Sequence, residues 1–341
     1  MHVCRCSALR ATRWAAVVLA VLAMAMAAVP VRAAGDEDYK GWFLTLDAAL
    51  TQPTGLVQQD IEGSAAAYDW FWWTAGTSTD RFSFDTDSDF TGTLRFGYGF
   101  GNGLGRLQVS YWGFDDTISG SGDYSFSTYS YSYYSGYYYY NYGEGTGRAE
   151  NKVQAATLDL DYLRSYAVGK KTTVTWLAGI RSATYEETRD FVGTGESYYR
   201  FAYMLEQHKH FETDALGLRL GAAVKFGFTD HFSLEGSSTF SFLQGSTEGN
   251  SSVVYTDFFA GQEDLRSAKD DNVRGEMREF DLKACWSYGM MDYFVGYRME
   301  TWDGLVVDPL LAMPLDYSPQ SRDAISFNSL HAGVTFKFGK N

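Results

Sequence analysis

Between Phe327 and Phe338 the chain alternates with a period of two. Leu330, Ala332, Val334, Phe336 and Phe338 share one side, and Ser329, His331, Gly333, Thr335 and Lys337 the other. Strand side chains point to opposite faces in turn, so this stretch reads as a two-faced strand. Such a strip suits a soluble sandwich or one stave of a barrel in a bilayer. Recurrence decides between them. Segments of about 9–11 residues, the length a tilted strand needs to cross the hydrocarbon, recur about ten times.

The strands expected are Trp42 to Leu50, Phe90 to Phe100, Arg106 to Phe114, Gln154 to Arg164 and Thr173 to Ala183. Then come Ala215 to Phe226, Phe232 to Phe242, Met277 to Tyr288, Tyr293 to Thr301 and the closing stretch. Short turns separate strands two and three, four and five, six and seven, and eight and nine. Long loops are expected at 51–88, 115–151, 184–213, 244–273 and 303–325. Outer-membrane barrels sort their connections in this way, with short periplasmic turns and long external loops. The fold class expected is therefore all-β: a transmembrane antiparallel up-and-down barrel of about ten strands (8–12), as one domain over 34–341.

Residues 1–33 read as a cleaved signal peptide. Arg5, Arg10 and Arg13 precede an uncharged apolar run, Ala15 to Val29, and Val31-Arg32-Ala33 offers the small residues of a cleavage site. Four of the 28 basic residues leave with it and none of the 42 acidic ones, which takes the net charge from −14 to −18. An acidic chain of that kind is no partner for nucleic acid. Cys4 and Cys6 leave too, so Cys285 stands alone, without a disulfide framework or a cysteine metal cluster.

The polar faces of the strands carry charge of both signs. Arg95, Arg106, Arg181, Arg219, Lys225, Lys283, Arg298 and Lys337 are expected to face the lumen, with Asp47, Asp159, Asp161, Glu235, Glu279, Asp281 and Glu300. Two outcomes compete. Opposed charges line a selective constriction in some pores; alternatively they pair and fill a narrow barrel. Ten strands lie nearer to about eight, which enclose little beyond side chains, than to the roughly 16 that leave a water channel. The acidic loops would favour cations at any open mouth.

Several short motifs carry a resemblance. They are Gly41-Trp42-Phe43-Leu44-Thr45-Leu46-Asp47, Leu158-Asp159-Leu160-Asp161-Tyr162, Leu177-Ala178-Gly179-Ile180-Arg181 with Tyr185, and Gly217-Leu218-Arg219-Leu220-Gly221. In these the chain resembles the Legionella-type major outer membrane proteins, a family of pore-forming barrels. The resemblance implies a porin-like channel for passive diffusion of small solutes, and it raises the pore over the closed lumen. Two departures stand out: Cys285 alone cannot build a cross-linked network, and Gly339-Lys340-Asn341 follow the terminal aromatic Phe338. The assembly signal expected is Val334, Phe336 and Phe338.

The remaining candidates each have a plainer alternative. His208 and His210, flanked by Glu206 and Glu212, form a weak metal candidate that a polar external loop explains as well. An outer-membrane protease would need a His and acidic residues at the external rim. The same histidines offer one half of that, but no catalytic motif is visible and no enzyme is expected. His331 reads as a hydrogen-bonding filler. Ten tyrosines within 124–142 suggest an adhesive loop or, more plainly, one that covers lipopolysaccharide. No cofactor is expected; the expected partners are outer-membrane lipid, lipopolysaccharide, the barrel-assembly machinery and small solutes.

Overall fold

The computed structural model describes residues 39–54, 59–60, 67–69, 72–78, 81–82, 88–132, 137–197, 202–256, 261–306 and 324–340. The expected signal peptide, 1–33, lies outside them. Ten long strands make the barrel. They are β1 (Lys40–Thr54), β2 (Asp89–Phe100), β3 (Arg106–Ser132), β4 (Tyr137–Ala167), β5 (Thr172–Ser197), β6 (Ala202–Gly227), β7 (Phe232–Thr256), β8 (Gly261–Tyr288), β9 (Met291–Asp303) and β10 (Ile325–Lys340). Each pairs antiparallel with its neighbours in sequence, and β1 pairs with β10 to close the ring. Closure runs from Lys40↔Lys340 to Thr54↔Ser326 and puts Trp42 opposite Phe338. A closed ring leaves no strand edge unpaired, which a bilayer requires.

The period-two pattern sorts the faces as expected. Leu46, Leu94, Phe96, Leu218, Leu220, Phe242, Leu282 and Leu330 are all exposed on the outside. At the external edge of this belt Arg278 and Glu276 stand outward opposite Phe240 and Phe242 and pair with each other, whereas Arg or Lys at the midplane would cost about 2–4 kcal/mol. Aromatic rings edge the belt at the short-turn end: Trp42 stacks on Phe96 with centroids 5.0 Å apart, and Tyr162 meets Trp176 at 5.4 Å. Rings that are apolar in the body and polar at the tip suit the membrane–water boundary. The barrel is built to span a lipid bilayer. The turn 101–105 is tight enough to need Gly101, Gly103, Gly105 and Asn102 at positive φ.

The main correction concerns length. Segments 115–151, 184–213 and 244–273 are expected as loops, but nearly all their described residues continue as strand. β3 to β8 run 25 to 31 residues each, whereas β1, β2, β9 and β10 run 12 to 16. On β5 the outward residues change from Val174, Trp176, Ala178 and Ile180 to Ser182, Thr184, Glu186 and Thr188. The ladder to β6 continues through the change unbroken. Above the belt the outer face meets water, so no apolar alternation marks a strand whose backbone pairing still holds. Thr51 to Thr54 likewise belong to β1 rather than to the 51–88 loop. The described tyrosine-rich residues pair across β3 and β4, with Tyr129 opposite Tyr140, and a short strand, Trp72–Ser78, pairs with the β3 side.

Candidate functional site: the lumen of the barrel

All 15 charged residues expected in the lumen stand at inward positions, and nine of them meet in one layer. Arg181 grips Asp159 with two hydrogen bonds, Nε to Oδ1 at 2.6 Å and Nη2 to Oδ2 at 2.8 Å. The same Nη2 donates to Glu279 at 3.2 Å. Arg219 donates to Asp161, and also to Glu279 at 2.8 Å. Arg298 donates to Asp47 at 2.7 Å and to Thr93 at 3.0 Å. Glu300 lies 3.8 Å from Arg181, and Asp281 lies 3.6 Å from Arg298. Lysine would not serve as well here, because a guanidinium binds two carboxylates at once through a planar fork.

His331 fills the gap in this layer. Its Nδ1 lies 3.1 Å from Asp47 and its Nε2 lies 3.0 Å from Asp281. These contacts agree with the filler role expected for it.

The other six charged residues lie around this layer or nearer the short turns. Arg95 approaches Asp47 at 3.9 Å. Lys283 bridges Asp281 at 3.3 Å and Glu235 at 3.4 Å. Lys337 pairs with Asp292 at 2.6 Å, Arg106 lies over the Phe43 ring, and Lys225 stands in register with Glu235. Together with the layer above they line a cavity of about 300 Å³ that reaches the turn glycines Gly101, Gly103 and Gly105.

A second layer, not foreseen from the sequence, lies on the external side of the ion pairs. Trp112, Phe114, Tyr185, Phe211, Met277, Trp302, Leu305 and Phe327 are buried there as one apolar cluster. Trp112 meets Phe327 at 5.2 Å, and Tyr185 on β5 meets Trp302 on β9 at 6.4 Å between centroids. The indole Nε1 of Trp302 donates to Glu300 at 2.8 Å and so joins the two layers.

Above this cluster, Glu187 accepts from Tyr185 at 2.7 Å, from Arg189 at 2.6 Å and from Asn151 at 2.9 Å. Burial, and then the Glu187 carboxylate, push the Tyr185 phenol well above the usual tyrosine range. Extending the β5 alternation past Ala183 would have found Tyr185, Glu187 and Arg189. The polar outer residues hid that continuation.

His208 and His210 do share one face of β6, but it is the outer face of the extension. His208 turns to Asp190 at 2.5 Å, while His210 turns to Thr188 at 3.1 Å. The two rings therefore serve different partners. Among the described residues no group of three or more His, Cys, Asp or Glu is arranged to hold a metal ion. The assembly-signal residues Val334, Phe336 and Phe338 lie on β10 opposite Leu46, Leu44 and Trp42.

No family model and no curated protein matches the chain. Among solved structures it is similar to the outer membrane protease OmpT of Escherichia coli, at 12% identity and a TM-score of 0.39. That match covers 87% of this chain and 97% of that one. A Pseudomonas aeruginosa FadL homologue matches at 7% identity and a TM-score of 0.24, over 88% and 91% of the two chains. The Ralstonia pickettii toluene transporter TbuX matches at 9% and 0.24, over 88% and 90%. At those scores none of the three lends its activity to this chain.

Proposed function

We propose that this chain is an outer-membrane barrel with a closed lumen, which holds a tall strand-built wall at the cell surface. The observation that carries this reading is contact across the ring. Strands β5 and β9 lie four apart in a ring of ten, yet Arg181 reaches Glu300 and Tyr185 reaches Trp302. Buried, paired charges capped by packed aromatics leave no aqueous path at that level, and parting them would strand charges in a dry interior.

Purified, heat-modifiable protein in a planar bilayer tests this. Silence at moderate voltage is the expected result, and regular conductance steps would overturn the closed reading. Fractionation with the outer membrane tests the location.

A porin-like channel for small solutes, the role implied by the family resemblance, is the second reading. The cavity at the short-turn end is the observation in its favour. It requires both layers to open.

A further inference from the structure

Followed upward, the outer face of β4 changes character twice. Tyr162 and Leu158 belong to the lipid belt, Gln154, Lys152, Glu150 and Arg148 come next, and Tyr142, Tyr140 and Tyr138 come last. All are even positions, and the ladder between β3 and β4 runs without a register shift from Arg106↔Leu163 to Ser132↔Tyr137. Parity therefore keeps them on one face. Tyr129 and Tyr131 of β3 stand opposite Tyr140 and Tyr138 on that face.

Two short strands widen the aromatic zone. Above the end of β2, Trp72–Ser78 takes the place beside β3, and Ala67–Asp69 pairs with it in turn. The register aligns Tyr68, Trp73, Tyr131 and Tyr138 in one cross-strand row. Ala75, Tyr129 and Tyr140 make the next, and Thr77, Ser127 and Tyr142 the third. Among the described residues no charge stands in these three rows. The row below brings carboxylates back, with Glu144 opposite Glu196 of β5.

Height says what lies against this zone. Between Leu158 and Tyr142 the strand covers about 50 Å at roughly 3.3 Å per residue, or some 35 Å of height at a tilt of about 45°. The polar headgroup layer is only about 5–8 Å deep on each side of a bilayer. Lipid headgroups and their phosphates therefore lie far below, level with the charged zone. Because the aromatic zone continues the face that meets lipid, it looks sideways onto whatever the neighbouring outer-leaflet lipids carry to that height, which is saccharide. Sugar rings offer C–H faces to aromatic rings and hydroxyls to phenol tips, and a surface apolar in the body and polar at the tip suits both. An anionic partner would be repelled by the carboxylates beneath.

We infer that this face holds the polysaccharide of the lipopolysaccharide that surrounds the protein in its own outer leaflet, with Trp73, Tyr131 and Tyr138 as its central row. The inference rests on the surface-wall part of the proposed function and not on closure of the lumen. Fractionation and conductance test that function, whereas binding by the purified protein tests this face, so the two can fail separately.

The probe is the polysaccharide that mild acid releases, free of lipid A, from the lipopolysaccharide of the same outer membrane. Calorimetry with the full-length protein in detergent should show saturable binding that added salt does not weaken, and dextran should bind more weakly. In NMR, saturating the aromatic protons of the protein should transfer to the sugar C–H protons. Tyr131→Thr with Tyr138→Thr should weaken binding by about tenfold or more. Tyr137→Thr with Tyr139→Thr, on the opposite face of β4, should leave it largely unchanged. No saturable binding, binding abolished by salt, dextran binding as tightly, or equal losses from the two pairs would each overturn the site. So would binding of intact lipopolysaccharide without binding of its lipid-free polysaccharide. If the first pair does not give the heat-modifiable fold, saturation transfer on the unaltered protein decides.

Discussion

Arg181 on β5 and Glu300 on β9 face each other almost across the full width of the ring, with Nη1 and Oε1 3.8 Å apart. Side chains from opposite walls touch, so the lumen is a packed interior at this level. One inward position higher on β9, Trp302 repeats the crossing with Tyr185. The layers differ in chemistry, one charged and one apolar, and on the closed-lumen reading proposed above each would close the barrel independently.

That redundancy makes a prediction about opening. Replacing Trp302 and Phe327 by Ala removes much of the apolar layer but leaves the ion pairs, so bilayer recordings should stay silent. Combining those changes with Glu279→Ser and Arg298→Ser should produce steady conductance. Current from the aromatic double variant alone would show that the charged layer does not seal.

The charged layer also sets stability. Glu279 accepts from both Arg181 and Arg219, and its removal leaves two buried guanidinium groups short of a carboxylate. Glu279→Ala should cost about 3–5 kcal/mol in urea unfolding from detergent. Glu186→Ala, which removes a half-exposed carboxylate 3.8 Å from His210, should change stability by less than about 1 kcal/mol. Similar losses for the two would contradict the burial argument.

Tyr185 lies above the lipid belt and gives a pH prediction. Its folded phenol holds the proton more tightly than the unfolded chain does, because of burial and the neighbouring Glu187 carboxylate. The stability linked to that proton is intact below the unfolded value of about 10 and is lost as pH rises above it. Unfolding midpoints should therefore fall more steeply between about pH 10 and 11 in the natural chain than in Tyr185→Phe. Parallel curves would sink the assignment.

A fourth test uses a glycine. A Cβ on Gly296 would lie 2.5 Å from the Leu282 carbonyl and 2.6 Å from Nε2 of His331. Gly296→Ala should push His331 away from Asp281 and lower stability by about 1–3 kcal/mol. The histidine ring resonance should move with it. An unchanged resonance would mean the strand shifts instead of the ring.

Much of this was legible in the residues. Ten strands, their faces, the short turns and 15 of the inward charges followed from alternation, because lipid outside and water or charge inside impose opposite demands on neighbouring positions; Glu187, Arg189 and Asp292 did not. Two things were not. The extensions of β3 to β8 lack the apolar stripe once lipid ends, as Thr184, Glu186 and Thr188 illustrate, so their pairing is written only in the backbone. The aromatic layer was hidden because Trp112, Trp302 and Phe327 sit near the strand ends where girdle residues also occur. Only the register brings them together.

Because the external wall is laddered strand, its tolerance of inserted residues should follow parity. One added residue within 186–190 would turn Phe191 outward and leave its place, opposite Ala149 and Gln207, to a neighbour of opposite character. Two would restore the facing at the expense of one extra rung. A peptide displayed on this protein therefore belongs beyond the last paired residues, where a change of phase has nothing left to invert.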